Sequence, residues 1–328
     1  MQPTASDVHV SRPLTNISVG FVQNPAGFVA TRVFPEVKVM HKADKYFQYD
    51  RGEFFRAQMQ RRAPSTESAG GGYTVDSSPT YLCERWGLHK DIDDEVRANQ
   101  DNPLDADRDA ALWLSQQGLL RKEIEWASTY FTTGLWGTDI TGVSGSPSSG
   151  QVKQWNDAAS TPLEDIAAAR DVVKQSTGYD PNKLTIGREV WTALKNHPDI
   201  VDRIKYSSGN DNPAMVNRRS VAALMEVEEI LVMEAVQNTA AKGQTPSNSF
   251  IGGKKALLSY APNRPSLFEP TAGYTFSWYG LLGSGALGTR IRKFRIDAIT
   301  SDRVEIDMSF DQKLVASDMG YFFTSVVA

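Results

Sequence analysis

The sequence predicts an α+β chain whose parts follow in a fixed order: an extended arm, a long β-hairpin, a long helix, a compact α/β module, a second hairpin and a closing strand. Three observations carry this. Prolines at Pro3, Pro13, Pro25 and Pro35 punctuate a leading segment with no sustained helical period. A run with 3–4 spacing (Trp113, Leu120, Ile124, Ala127, Phe131) predicts a long helix. Near the end, Ile291, Phe294, Ile296 and Ile299 alternate with Arg290, Arg292, Arg295 and Asp297, the period of a strand with one charged face.

Residues 1–35 are small, polar and proline-broken, which predicts an arm that is ordered only when laid against something else. Residues 36–90 carry two strand-like groups, Val37 to Phe55 and Tyr73 to Trp86. Between them lies a polar stretch ending in Gly70-Gly71-Gly72, and the whole predicts an extended hairpin with a flexible tip. Its apolar content is too thin for a core of its own, so its second face is expected on another surface. Asn102 and Pro103 are suited to cap and start the long helix, with Asp105, Asp107 and Asp109 at its positive end. Run to Thr132, that helix would be about 45 Å long.

Residues 134–151, rich in Gly, Ser and Thr, predict a loop. A helix is expected from Pro162 to Thr177, capped by Thr161 and ended by Gly178. Beyond it, strands (184–186, 230–233, 256–260, 274–278) alternate with helical stretches (188–196, 200–205, 220–225), the pattern of an α/β module. Thr289–Phe310 folds back at Thr300-Ser301-Asp302, and Gly320 to Val327 forms the last strand. The boundaries read this way are 1–35, 36–90, 91–154, 155–280, 281–315 and 316–328.

The chemistry-bearing residue types are present, but their settings are wrong for catalysis. Gly283-Ser-Gly285-Ala-Leu-Gly288 is a literal G-x-G-x-x-G, yet a strand pattern follows it where a dinucleotide site needs a helix. His89, Asp91, Asp93 and Asp94 could suggest metal or acid–base work. His9, His41 and His197 are scattered, however, and no paired-ligand spacing occurs, so solvated or interface acids are the reading. Cys83 is the single cysteine, which excludes an intrachain disulfide, and its apolar neighbours predict a buried structural thiol. No catalytic, cofactor or metal residue is assigned. The N-terminus lacks a signal-peptide pattern and no run reaches about 18 apolar residues, so a soluble, non-secreted product is expected, with no membrane partner.

Charge is patterned even though the net formal charge is only −4. Residues 36–62 hold seven bases against four acids, and residues 91–109 hold two bases against eight acids. The bland reading is two solvated faces. The sharper one is complementary surfaces between subunits, with Arg51, Arg56, Arg61 and Arg62 on one side and Asp91, Asp93, Asp94, Asp105 and Asp107 on the other.

The order of parts resembles the major capsid protein fold of tailed bacteriophages, which is shared with encapsulin nanocompartments. Local phrases carry the resemblance: Lys45 to Phe55, Arg62 to Ser68, Tyr81 to Glu84, Arg121 to Ala127, Asn182 to Val201 and Asp311 to Tyr321. The resemblance implies a structural subunit that self-assembles into hexamers and pentamers of an icosahedral shell around packaged double-stranded DNA. It also implies that the arm and first hairpin reach across neighbours. The long helix, as a spine, and the second hairpin would form a peripheral domain, with residues 155–280 and the last strand forming an axial domain. A separate scaffolding protein, a portal and a decoration protein are the implied partners, and the virion capsid, assembled in the host bacterial cytoplasm, the implied location. Some members of the fold crosslink through a loop lysine; the tip here offers Arg61 and Arg62, so a non-crosslinked shell is expected. The alternatives are an encapsulin-like shell around enzyme cargo and, from another class, a soluble nucleotide-binding α/β enzyme.

Overall fold

The computed structural model describes residues 23–100, 104–207, 216–265, 269–282 and 289–328. After a turn at Pro25–Gly27 come helix α1 (Ala30–Val33), strands β1 (Glu36–Val39), β2 (Ala43–Lys45) and β3 (Gln48–Tyr49), and helix α2 (Arg51–Phe55). Strands β4 (Val75–Asp76), β5 (Thr80–Leu82) and β6 (Glu84–Asp93) follow, then helices α3 (Asp94–Ala98) and α4 (Ala106–Tyr130). The middle of the chain holds β7 (Thr138–Val143), β8 (Gln151–Lys153), α5 (Pro162–Thr177), β9 (Lys183–Gly187), α6 (Arg188–Asn196), α7 (Pro198–Ser207) and α8 (Arg218–Leu224). It closes with β10 (Glu229–Met233), β11 (Val236–Asn238), β12 (Asn248–Phe250), β13 (Ala256–Ser259), β14 (Gly273–Trp278), α9 (Tyr279–Leu282), β15 (Thr289–Ile296), β16 (Ser301–Leu314) and β17 (Gly320–Thr324).

Two large sheets organise the chain. The first runs β1-β14-β16-β15, with β6 on the other side of β16. The second runs β10-β9-β13-β17-β7-β8. Helices α5 to α8 cover one face of the second sheet, where Ile166, Val190, Leu194 and Val221 meet Leu184, Ile186, Val232, Leu258 and Phe323. Its other face, with Leu231, Met233, Leu257 and Phe322, packs on α1 and on Trp126 and Phe131 at the end of α4. The start of α4 instead lies on the first sheet, with Ala110 and Leu114 against Ile306, Met308 and Ile92. One helix therefore contributes to both cores. Each buried Leu or Ile adds roughly 1.5–3 kcal/mol.

The second hairpin is as expected: β15 and β16 pair from Thr289↔Met308 to Ile296↔Ser301. The helix over 162–177 and its left-handed Gly178 end (φ 76°) also match, although Thr161 makes no side-chain cap bond.

Several expectations need correction. Residues 23–35 are not laid outside the body: Phe28 to Phe34 are buried in its core, apart from half-exposed Thr31 and exposed Arg32, while residues 1–22 lie outside the described residues. The hairpin is shorter than 36–90, because β1 pairs in parallel with β14 and β6 pairs with β16, leaving β2–β5 as the hairpin itself. Phe54 and Phe55, read as strand, sit in α2, which Asp50 caps by accepting the Gly52 N–H at 2.9 Å. The 134–151 loop contains β7, which joins the second sheet beside β17. The long helix is described from Ala106, about 37 Å, and Asp105 is its cap, accepting the N–H groups of Asp107 and Arg108 at 3.1 Å. Asn102 and Pro103 lie outside the described residues. The buried face of α4 is Ala110, Leu114, Gly118, Lys122, Glu123, Trp126 and Ala127; of the expected positions Ala127 and the following Phe131 are buried, while Trp113 faces outward. The reason is Gly118, where a Cβ would stand 3.0 Å from Met308 Sδ: a residue without a side chain sets the face that approaches the sheet.

Sheet membership also cuts across the expected boundaries. Strand β14, inside 155–280, belongs to the first sheet, and β7 and β8, inside 91–154, belong to the second.

Candidate intersubunit surfaces

The hairpin stands on a firm base. Tyr81 stacks on Phe276 at 4.6 Å, and Tyr46 packs on the same ring at 5.5 Å. Leu82 N–H donates to Asp311 Oδ2 at 2.8 Å. Cys83 is buried beside them, its Sγ 3.5 Å from the Phe276 carbonyl, and burial, with the Asp311 charge adding to it, pushes the thiol up to about 12. That is an unreactive structural cysteine. Further out, Arg51 pairs with Asp318 at 2.6 Å and Gln48 donates to the Val315 carbonyl, holding the hairpin against its own body.

Past that point the surface is apolar and open. Tyr49, Phe54 and Tyr73 form a ring cluster with centroids 5.7–6.0 Å apart, all exposed. Phe47 is 68% and Met59 98% exposed. Arg56 makes a loose pair with Glu53 at 3.6 Å, Arg62 donates to the Thr66 carbonyl, and Arg61 is exposed with no ion pair among the described residues. Of the four basic candidates, Arg51 is thus engaged by its own chain, while Arg61 and Arg62 present unbalanced charge.

The acidic candidates are largely met from within. Arg303 grips Asp91 with Nε and Nη2 at 2.6 and 2.8 Å, and its hydrogen bonds hold that carboxyl below its ordinary range. Arg295 holds Asp94 at two points, both 2.6 Å, with the same consequence. Asp107 pairs with Arg97 at 3.0 Å and Lys293 at 2.8 Å. Arg97 also pairs with Asp302. Asp93 and Asp105 cap α3 and α4. The residues missed from the sequence are the partners: Arg97 on α3, and Lys293, Arg295 and Arg303 on the second hairpin. Its charged face was visible as alternation; the register that lays it beside β6, Arg303↔Asp91, was not. Exposed Glu95 and Asp297 keep an acidic edge on this corner.

The other candidate chemistry has structural roles. His89 Nε2 lies 3.9 Å from Asp91 Oδ2, and among the described residues no group of three or more His, Cys, Asp or Glu is placed to hold a metal ion. His197 is buried, with Nε2 3.1 Å from Ser160 Oγ. Gly283–Gly288 lies outside the described residues; α9 precedes it and β15 follows it. Among the described residues no helix is long and apolar enough to cross a membrane.

The family model described as phage major capsid protein E matches residues 146–269. The major capsid protein of Pseudomonas phage JBD67 is 34% identical over 175 residues, and the match spans only about half of that relative's length, 53% of each chain. That of Burkholderia phage BcepMu is 24% identical over 324 residues, 95% of each. Among solved structures, a phage-related protein from Bordetella bronchiseptica superposes with a TM-score of 0.68 at 21% identity, over 92% of this chain and 93% of that one. The mature capsid of bacteriophage PhiM1 gives 0.56 at 10%, over 98% of each. An encapsulin from Synechococcus elongatus gives 0.52 at 12%, over 97% and 95%. Family model, sequence relatives and fold agree: the chain is similar to phage major capsid proteins and carries the fold of the solved capsid shells.

Proposed function

We propose that this chain is a structural subunit that self-assembles into the icosahedral shell of a phage, through hexamers and pentamers that enclose packaged double-stranded DNA. The observation that carries the reading is the hairpin, with a rigid aromatic base and an exposed Tyr49/Phe54/Tyr73 cluster flanked by Arg56, Arg61 and Arg62. Apolar surface of this kind marks a contact with another molecule, and both sequence relatives are major capsid proteins. The first-sheet body with α4 serves as the peripheral domain, and the second-sheet body serves as the axial domain at capsomer centres. A scaffolding protein, a portal and a decoration protein are the further partners, and assembly takes place in the host cytoplasm. The subunit has no catalytic task.

The hairpin tip docks on a neighbour, with Arg61 and Arg62 facing acidic groups such as Glu95 and Asp297. Each exposed pair contributes only about 0–1 kcal/mol, but a shell repeats it many times. The test is negative-stain microscopy and light scattering of the expressed protein beside the double variant Arg61→Glu/Arg62→Glu. Wild type should give particles, and the variant should give small species with an unchanged circular dichroism spectrum; equal particle yield overturns the docking assignment. Protein cargo rather than DNA in purified particles would favour the encapsulin reading, and a small nicotinamide-binding oligomer the enzyme reading. On a denaturing gel, mature particles should run as single chains, without a ladder of covalent oligomers.

A further inference from the structure

The one-turn helix α1 is buried, and its two ends are gripped by ionisable side chains from different parts of the chain. At its start, the Glu123 carboxyl of α4 accepts the Val29 N–H (2.9 and 3.1 Å to its two oxygens) and the Ala30 N–H (2.9 Å). At its end, Lys183 Nζ of β9 donates to the Arg32 carbonyl at 2.6 Å. Both groups satisfy backbone atoms that a one-turn helix leaves unpaired at its ends. Val29, Ala30, Val33 and Phe34 fill the space between α4 and the second sheet, and Glu123 itself is 1% exposed. This short segment is what joins the spine helix to β9.

Other ionisable groups on the surrounding elements are occupied elsewhere. Arg32 pairs with Glu229, Lys122 with Glu36 while lying over the Phe310 ring, and Glu234 with Arg188 and Arg218. Lys255 donates to the Phe131 carbonyl and Tyr130 to the Gln312 carbonyl. Glu123 has no ion pair among the described residues; the two N–H groups are its described hydrogen-bond donors. Burial pushes it up to about 7, against the lowering effect of those two bonds.

We propose that Phe28–Phe34 is a proton-linked keystone: its docking between α4 and the second sheet takes up a proton on Glu123, so it is held more firmly on the acid side of neutrality than on the alkaline side. The sign follows from linkage. With the segment lifted, the carboxyl meets water and returns toward its ordinary value of 4.5. Lifting therefore releases a proton between that value and about 7, and rising pH favours it. From pH ~6 to ~8 the opening equilibrium should increase roughly tenfold. Lys183, lowered by burial, has the opposite sign and cannot mimic this. A carboxyl whose hydrogen bonds outweighed its burial would also give the opposite sign.

The test is hydrogen exchange of the full chain at pH ~6, ~7 and ~8, corrected for intrinsic rates. Peptides covering 28–34 are read against β9 and β13 as internal reference. In wild type, protection of 28–34 should fall roughly tenfold across that range while the reference keeps its own level. In Glu123→Gln, which keeps an acceptor but does not titrate, the dependence should vanish. Constant or rising protection in wild type overturns the proposal, as does an unchanged slope in the Gln variant. If that variant does not fold, the wild-type series decides alone.

Discussion

Asp307 takes Arg85 on a single oxygen at two points, with Nη2 at 2.7 Å and Nε at 3.0 Å. On its other oxygen it receives Arg290 Nη2 at 3.2 Å, with Arg292 Nε at 3.6 Å. One carboxylate with 1% side-chain exposure thus ties β6 and β15 across β16. Asp307→Ala leaves three guanidinium groups converging on no counter-charge and should destabilise the chain by on the order of 3 kcal/mol in urea unfolding. Arg85→Ala should cost about 1 kcal/mol, since it is half exposed and two arginines remain.

Acid should act on this sheet first. Burial alone would raise the Asp307 carboxyl, but the hydrogen bonds from Arg85 and Arg290 and the charges of Arg85 and Arg292 together outweigh it, and the group sits below its ordinary 3.8. Asp91, Asp94 and Asp302 are lowered chiefly by hydrogen bonds from Arg303, Arg295 and Arg97. For such depressed acids the stabilisation is complete above the unfolded value and fades as pH falls through the folded one. The melting temperature should therefore drop as pH is taken below about 4. Arg303→Met and Arg295→Met variants should start lower near neutrality and lose less on acidification.

Gly118 sets how close α4 comes to the first sheet. Gly118→Ala places a Cβ 3.0 Å from the flexible Met308 thioether and gains helix propensity, so it should change stability by less than about 1 kcal/mol. Gly118→Leu cannot be absorbed this way and should cost roughly 2–3 kcal/mol. Adding Met308→Ala should recover part of that loss in a double-mutant cycle; strict additivity would show that the two residues do not compete for the same space.

Brief trypsin treatment of the unassembled chain should cut first at Arg56, Arg61 or Arg62, which are exposed. The body should remain intact, because Arg85, Arg290 and Arg303 lie in paired strands. Assembled particles should resist the same treatment if the hairpin tip is covered by a neighbour.

What the sequence disclosed and what it hid divide along physical lines. Alternation is local, so β15 and β16 could be read to within a few residues, and Gly178 ended α5 where a left-handed residue was needed. Strand β7 was hidden because Thr138, Thr141 and Gly142 look like loop residues until Tyr321–Thr324 lies beside them. The face of α4 was read correctly at Ala127 and Phe131 but missed at Trp113, because the buried stripe includes Lys122 and Glu123, which are satisfied by residues almost a hundred positions away. The acidic candidates were legible as charge, but the register that brings Arg303 to Asp91, two hundred residues on, was not. Arg56, Arg61 and Arg62 were legible as exposed charge, because no distant register bears on them.

Strand β16 runs for fourteen residues without a break, pairing with β6 along its first ten, with β15 along its first eight and with β14 along its last five. Fully extended, that is about 45 Å of continuous backbone, from the hairpin turn at Thr300 to within a few residues of β17 in the second sheet. It works as a girder with no hinge along its length. A load on the turn is carried along one continuous strand to the short segment that leads into β17, so the hairpin and the second sheet share a direct covalent line.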